Sequence, residues 1–238
     1  RDAQESRGLG DVYKRQLYLP VFLFFLNFAI LAYFPALGFP LTEPRNYFFA
    51  NLLYMAVNFA VMLLIFRRTL WQSLREFEGK MLLSVLIGFG MCYGANLVLT
   101  TAYTVLDIMP ENYNQEAVNS LLGGYPLAMT LCTVVLAPLA EECLFRGVLF
   151  APLARRCLPA AYALSMFLFA GMHVFQFLGS MTAANTILCL SLYLPASFSL
   201  CWVYQKTGNI WAGIFLHMFI NFQSVLASLL RSLMQAFL

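Results

Sequence analysis

Two histidines and one charged motif are the residues of this chain that could carry out chemistry, and all lie inside long hydrophobic segments. His173 and His217 are the only histidines of the sequence. Glu141, Glu142 and Arg146 place three charges inside a third hydrophobic segment. Each ionisable group at bilayer depth costs about 2.5–3.5 kcal/mol on insertion scales. Carboxylates and imidazoles transfer protons to and from water, so their retention at this cost predicts a reaction centre within a membrane.

The two adjacent glutamates are expected to have different roles because helix geometry separates them. Glu142 and Arg146 are four residues apart, so they share one face of a helix and can neutralise each other. Glu141 then points in another direction. Removal of a carboxylate from water favours its uptake of a proton, which suits a general base near neutral pH. A polar clasp between helices, without chemistry, is the alternative interpretation.

Each histidine has a notable neighbour one helical turn away. Phe169 precedes His173 by four residues, where its ring can pack on the imidazole. Asn221 follows His217 by four residues, so two neutral donors point the same way, as in a site that binds an oxyanion. Hydrogen bonding between membrane helices explains a lone histidine or asparagine equally well. The three motifs therefore gain their meaning from occurring together.

The composition requires a membrane protein. Of the 238 residues, 61% are hydrophobic and only 11% are charged, and the mean hydropathy is +0.75. Soluble domains of this length do not have such a composition. The apolar runs match a hydrocarbon core about 30 Å thick. We therefore predict an all-α, polytopic transmembrane helix bundle whose partner is the lipid bilayer. We expect no nucleic-acid partner, although the modest net charge of +3 does not itself bear on this.

Hydropathy predicts about seven spans, and a break near Ser228 in the last one would add an eighth. We predict a single membrane-embedded domain over residues 17–238, with the motifs in about 115–225. Residues 1–16 are polar and patternless, and we interpret them as a leader foreign to the fold, with a short cytoplasmic tail as the alternative. The predicted spans are 17–37, 47–66, 81–104, 126–153, 159–179, 184–205 and 209–236.

Basic residues concentrate in alternate predicted loops, which orients the bundle by the positive-inside rule. The loops predicted on the other side of the membrane hold Arg45 and no other Lys or Arg before the C-terminal Arg231. This pattern predicts a cytoplasmic N-terminus and an outside C-terminus. The small size and compactness of the chain favour a bacterial source, so we expect it in the bacterial cytoplasmic membrane. The basic residues of the cytoplasmic loops are Arg67, Arg68, Arg75, Lys80, Arg155, Arg156 and Lys206.

The motif residues are expected at similar depths in this orientation. At 1.5 Å per helical residue, Glu141 lies roughly 21 Å above the cytoplasmic end of its span. The same arithmetic places His173 at roughly 22 Å and His217 at roughly 16 Å in their spans. We therefore predict that the three side chains belong to one site.

Taken together, the three motifs resemble the signatures of the CAAX protease and bacteriocin-processing (Abi) family, which includes the type II CAAX prenyl endopeptidases. The segment Thr207–Ala212, which leads into the third motif, resembles the family's usual sequence there. The resemblance covers about 115–225, whereas residues 17–106 match only as hydrophobic helices. It implies an intramembrane endopeptidase of the glutamate type, historically called a metalloprotease.

By this resemblance, Glu141 and His173 would activate the attacking water. His217 and Asn221 would stabilise the oxyanion of the tetrahedral intermediate. The implied substrates are membrane-associated peptides or proteins, such as prenylated CAAX tails, bacteriocin leaders and other membrane peptides. The residues expected to support the site are Glu142, Arg146 and Phe169.

Three further alternatives remain open at this level. Glu141, His173 and His217 form a conceivable ligand set for a divalent metal such as zinc, although we expect metal-free catalysis because a Glu–His pair can activate water unaided. A transporter could use the same polar cluster as a proton relay, but we find no internal repeat. A non-catalytic membrane scaffold or immunity protein is the third. The sequence does not indicate an oligomeric state.

Overall fold

The computed structural model describes Tyr18 and residues 20–236, and that part of the chain consists of helices and short connections without a β-strand. Six of its helices are long and apolar enough to cross a membrane, and a shorter apolar helix precedes them. This confirms the predicted all-α, polytopic bundle. In chain order the helices are α1 Leu26–Ala36, α2 Pro44–Arg75, α3 Gly79–Val105, α4 Tyr113–Gly124, α5 Pro126–Ala154, α6 Leu158–Val174, α7 Ala183–Thr207 and α8 Ile210–Ala236.

The first predicted span, 17–37, lies partly outside the described residues. Its described part is a π-helical turn, Val21–Phe25, followed directly by α1. The predicted loop at 67–80 is wrong in its bounds, because α2 continues to Arg75 and only residues 76–78 separate it from α3. Leu70 explains the extension, since its side chain is buried in the core.

Helix α8 is continuous, so the possible eighth segment beginning near Ser228 is not formed. The Ser228 hydroxyl donates to the carbonyl of Ser224, one turn earlier, at 3.0 Å. This bond satisfies the hydroxyl within the helix, where a serine is tolerated without a break. The described length of α8 therefore belongs to a single span with a polar end.

Helix α5 is interrupted by two wide π-helical turns, Cys132–Leu136 and Cys143–Phe150. Pro138 lies between them and has no N–H to donate, so the regular α-helical ladder cannot pass through it. The distortion on both sides of this proline takes the form of wide turns, which often accompany functional sites. Glu141 and Glu142 lie on the short α-helical stretch that the two turns enclose.

Helix α5 is also the most enclosed element. Within the most apolar window of each span, 44% of the α5 residues are buried, against 17–33% for the others. Close helix contacts depend on small residues at two places. A Cβ at Gly147 of α5 would lie 2.6 Å from the ring of Phe66, and a Cβ at Gly88 would lie 2.5 Å from Val203. The motif-bearing helix α5 packs against α2, α6, α7 and α8, whereas the contact at Gly88 joins α3 to α7.

Candidate active site

The structure brings together the three side chains that the depth argument predicted to meet. The Oε2 atom of Glu141 on α5 lies 3.8 Å from Nε2 of His217 on α8. His173, near the end of α6, lines the same cavity as Glu141. Three helices that are separate in sequence therefore contribute one polar cluster inside the bundle.

Glu142 and Arg146 form the predicted ion pair, and both side chains are fully buried. Nη1 of Arg146 donates to Oε1 of Glu142 at 3.0 Å, one turn apart on α5. Nη2 of the same guanidinium donates to the carbonyl of Ser197 on α7 at 3.1 Å. Removing one partner of such a pair leaves an uncompensated buried charge, which costs about 3–5 kcal/mol. The pair therefore fastens α5 to α7 beneath the cluster.

Glu142 also fixes the tautomer of His217. Nδ1 of His217 lies 2.9 Å from Oε1 of Glu142, the same oxygen that accepts from Arg146. A carboxylate held by a guanidinium is an acceptor, so Nδ1 of the imidazole carries the proton. Nε2 of the same ring faces Oε2 of Glu141 at 3.8 Å, beyond hydrogen-bond length.

His173 is oriented in a comparable way by its own helix. Its Nδ1 lies 2.8 Å from the carbonyl oxygen of Phe169, one turn earlier on α6. A carbonyl only accepts, so Nδ1 carries the proton and Nε2 remains free to accept a hydrogen bond. The ring is also stacked on Tyr193 of α7, a residue that the sequence analysis did not identify.

The ring of Phe169 contacts the rings of both histidines. Its ring centroid lies 4.9 Å from that of His173, which confirms the packing predicted from their spacing, and 5.5 Å from that of His217. The guanidinium of Arg146 lies over the same ring at 5.1 Å, as in a cation–π contact. A single buried ring therefore contacts both imidazoles and the buried cation.

Asn221 and His217, one turn apart on α8, make their hydrogen bonds to different groups of α5. Nδ2 of Asn221 donates to the carbonyl of Thr133 at 2.8 Å, within the first wide turn of α5. Asn221 lines the cavity together with Glu141 and His173, whereas His217 is not among the lining residues. The histidine lies behind Glu141, between the two carboxylates, and the catalytic roles of both residues remain predictions.

The cavity beside Glu141 has a volume of about 210 Å³, which is room for several water molecules or a short peptide segment. Surface helix α4 contributes part of its wall. The side chains around it include many neutral hydrogen-bonding groups. Six of them are amides: Asn27, Asn51, Asn114, Gln115, Gln176 and Asn221.

The described residues do not fit a divalent metal. No group of three His, Cys, Asp or Glu side chains in that part of the chain is arranged to hold such an ion. The conceivable ligand set of Glu141, His173 and His217 therefore does not gather around one point. The Nδ1 atoms of both histidines are already engaged with Phe169 and Glu142.

Comparisons with known proteins bear on these motifs. The family model described as type II CAAX prenyl endopeptidase Rce1-like matches residues 123–223. A Bacillus subtilis (strain 168) protein named "Putative membrane peptidase YdiL" is 27% identical over 186 residues, which cover 74% of this chain and 72% of that protein. No solved structure matches the chain. The stretch matched by the family model contains every residue of the three motifs.

Proposed function

We propose that this chain, which belongs to the CAAX protease and bacteriocin-processing family of membrane peptidases, hydrolyses peptide bonds with a water molecule activated by Glu141 and His173. One observation carries the proposal. The two side chains line one cavity. Oε2 of Glu141 is buried and accepts no hydrogen bond from the described residues, and the hydrogen bond that orients the His173 ring uses Nδ1 rather than Nε2.

In this mechanism Glu141 takes a proton from the water while the water oxygen attacks the carbonyl carbon of the substrate. Nε2 of His173 accepts a hydrogen bond from the same water and orients it. The substrate carbonyl becomes an oxyanion as its π bond opens. Glu141 then returns the proton to the leaving nitrogen, the C–N bond breaks, and the products are a carboxylic acid and an amine.

Asn221 supports the oxyanion in this proposal. One of its two amide hydrogens is used by the Thr133 carbonyl, and the second is available on a side chain that lines the cavity. Removing one such donor from an enzyme typically lowers kcat by about 10²–10³. Stabilisation of the oxyanion by His217 stays the prediction made from the family resemblance. Its contacts with Glu142 and Glu141 support a positioning role as well.

The substrates that we propose are membrane-associated peptides or proteins, and the reaction needs no metal. Prenylated CAAX tails and bacteriocin-like leaders are the two substrate types that the family resemblance implies. A Glu–His pair supplies the proton acceptance that activates water, so the mechanism requires no Lewis acid.

Comparative peptidomics of membranes tests this proposal. Cells that express the chain should accumulate peptide termini that are absent from cells expressing Glu141→Gln, which keeps the shape of the side chain and loses its basicity. Glu78→Gln is the matched control, because Glu78 is exposed and pairs only with the exposed Lys80. It should leave the peptide set unchanged. Identical termini from Glu141→Gln and the intact chain, at equal protein levels, would refute the proposal.

A further inference from the structure

The cavity beside Glu141 lies toward one end of the membrane bundle. Its wall includes Tyr47, three residues into α2, and Gln176, just beyond the end of α6. Gln115 and Val118 of surface helix α4 also line it. These residues all lie close to one end of the bundle. That end is formed by residues 37–43, 106–125 and 175–182, and we call it the acidic face.

Charge is distributed unequally between this face and the opposite end of the bundle. The acidic face and the helix ends that reach it hold four carboxylates and two cations: Glu43, Asp107, Glu111, Glu116, Arg45 and Arg231. The opposite end, which we call the basic face, holds seven cations and two carboxylates: Arg67, Arg68, Arg75, Lys80, Arg155, Arg156, Lys206, Glu76 and Glu78. Apart from the buried motif, these are all the Asp, Glu, Lys and Arg residues that the structure describes.

Lys and Arg near the ends of spans are retained on the cytoplasmic side of a membrane. We infer that the catalytic cavity opens on the extracytoplasmic side, and that its substrates are internal segments of peptides exposed at that surface. The second part rests on the proposed function. The first part rests only on the charge distribution and on the position of the cavity.

The chemistry of the cavity wall supports the same substrate class. None of the residues that line it is Lys or Arg, and its acid is Glu141. Neutral amides donate to and accept from a peptide main chain, as Asn51 and Asn114 can beyond the one bond that each already makes. A free C-terminal carboxylate drawn into this cavity would be desolvated without a cation and would face a second carboxylate.

A CAAX tail is a poor match on both grounds. Its prenylated cysteine is followed by three residues, so its free carboxylate lies close to the bond that is cut. Such a tail is also presented on the cytoplasmic side of a membrane. A translocated peptide that continues beyond the cavity in both directions brings no terminal charge to the site, and it arrives from the face on which the cavity lies.

Cysteine labelling of intact cells tests the orientation. Cys157 is the exposed cysteine of the chain and lies at the basic face, whereas the other five are buried. Ser120 is exposed on α4 at the acidic face. We expect a membrane-impermeant maleimide to label the Ser120→Cys, Cys157→Ser variant in intact bacterial cells. Cys157 of the unchanged chain should react only after permeabilisation, and the Cys157→Ser parent gives the background.

Labelling of Cys157 in intact cells, with protection of the cysteine placed at position 120, would overturn the inferred orientation. Adding Glu141→Gln to each variant should not change the labelling, so this result is separate from the test of catalysis. The substrate class is tested by the location of the cuts found by peptidomics. Cuts within translocated segments, more than three residues from a C-terminus, are expected. Cuts confined to cytoplasmic tails would overturn it even where Glu141 is essential.

Discussion

The phenol ring of Tyr193 lies flat against the imidazole of His173, with centroids 4.5 Å apart and planes inclined by 21°. The tyrosine hydroxyl donates to Oδ1 of Asn112 at 3.0 Å and accepts from Nδ2 of Asn114 at 3.2 Å. Asn112 caps helix α4 by accepting from the backbone N–H of Gln115. One side chain of α7 thus connects His173, which orients the water in the proposed mechanism, to the surface helix that lines the cavity.

The main effect of replacing Tyr193 by Ala should be on kcat rather than on the free energy of unfolding. The substitution removes one wall of the His173 ring, and a misplacement of about 1 Å in a catalytic group can cost roughly 100-fold in rate. Tyr193→Phe is the matched control, because it keeps the stacked ring and loses only the hydrogen bonds to α4. We expect it to retain most of kcat. Equal losses in both variants would show that the hydroxyl, and not the ring, matters for catalysis.

Breaking the buried pair of Glu142 and Arg146 should strongly destabilise the protein. Arg146→Met or Glu142→Leu alone leaves one charge buried without its partner, and each should lower the free energy of unfolding by about 3–5 kcal/mol. The double variant leaves no charge and should regain much of that stability. It should remain inactive, because Nδ1 of His217 has lost the carboxylate that orients it.

Denaturant unfolding of the detergent-solubilised protein, together with activity measurements, checks this prediction. Destabilisation of the double variant equal to the sum of the two single variants would contradict it. Full activity in the double variant would show that Glu142 does not position His217.

The parts of this molecule that sequence analysis could predict are those that depend on local spacing. Glu142 and Arg146 meet because residues four apart on a helix always share a face. Tyr193 could not be found in this way. A lone tyrosine in an apolar span has many ordinary explanations, and its stacking on His173 depends on how α6 packs against α7.

The sequence allows a distortion of α5 to be predicted, but not the form that it takes. Pro138 indicates that the helical ladder is interrupted, because proline donates no backbone hydrogen bond. The choice of wide turns depends on partners from elsewhere in the chain. Asn221 of α8, which donates to the Thr133 carbonyl, is one such partner. The partners of Asn221 and His217 on α5, the Thr133 carbonyl and the Glu142 carboxylate, likewise depend on how α8 packs against α5.

Alanine at Gly88 should destabilise the bundle, whereas alanine at Gly90 should not. Of Gly88, Gly90 and Gly94 on α3, only Gly88 meets a neighbouring helix. Its Cβ would lie 2.5 Å from Val203 and 2.9 Å from Leu216, and such overpacking typically costs about 1–3 kcal/mol. Gly90 faces open space, so alanine there should stabilise helix α3 by about 0.5–1 kcal/mol. Thermal unfolding of both variants in one detergent checks the difference, and similar melting of the two would contradict it.

Alanine at Gly213 should reduce activity by disturbing Glu142. A Cβ at this position of α8 would lie 3.1 Å from Oε2 of Glu142, which is tighter than ordinary contact and would push the carboxylate away from His217. We expect kcat to fall while KM changes little, because Gly213 does not line the cavity. A higher KM with unchanged kcat would show that the substitution acts on substrate binding instead.

Strong chelation should leave the peptidase activity unchanged. The proposed reaction uses Glu141 to accept the proton of water and His173 to orient that water, so neither step requires a divalent ion. The purified protein should therefore keep its kcat after dialysis against EDTA and against a zinc-selective chelator, with Glu141→Gln setting the inactive baseline. A loss of activity that added zinc restores would reverse this prediction. It would also require Glu141, His173 and His217 to move toward a common point, which X-ray absorption at the zinc edge would detect as nitrogen and oxygen ligands at about 2.0–2.2 Å.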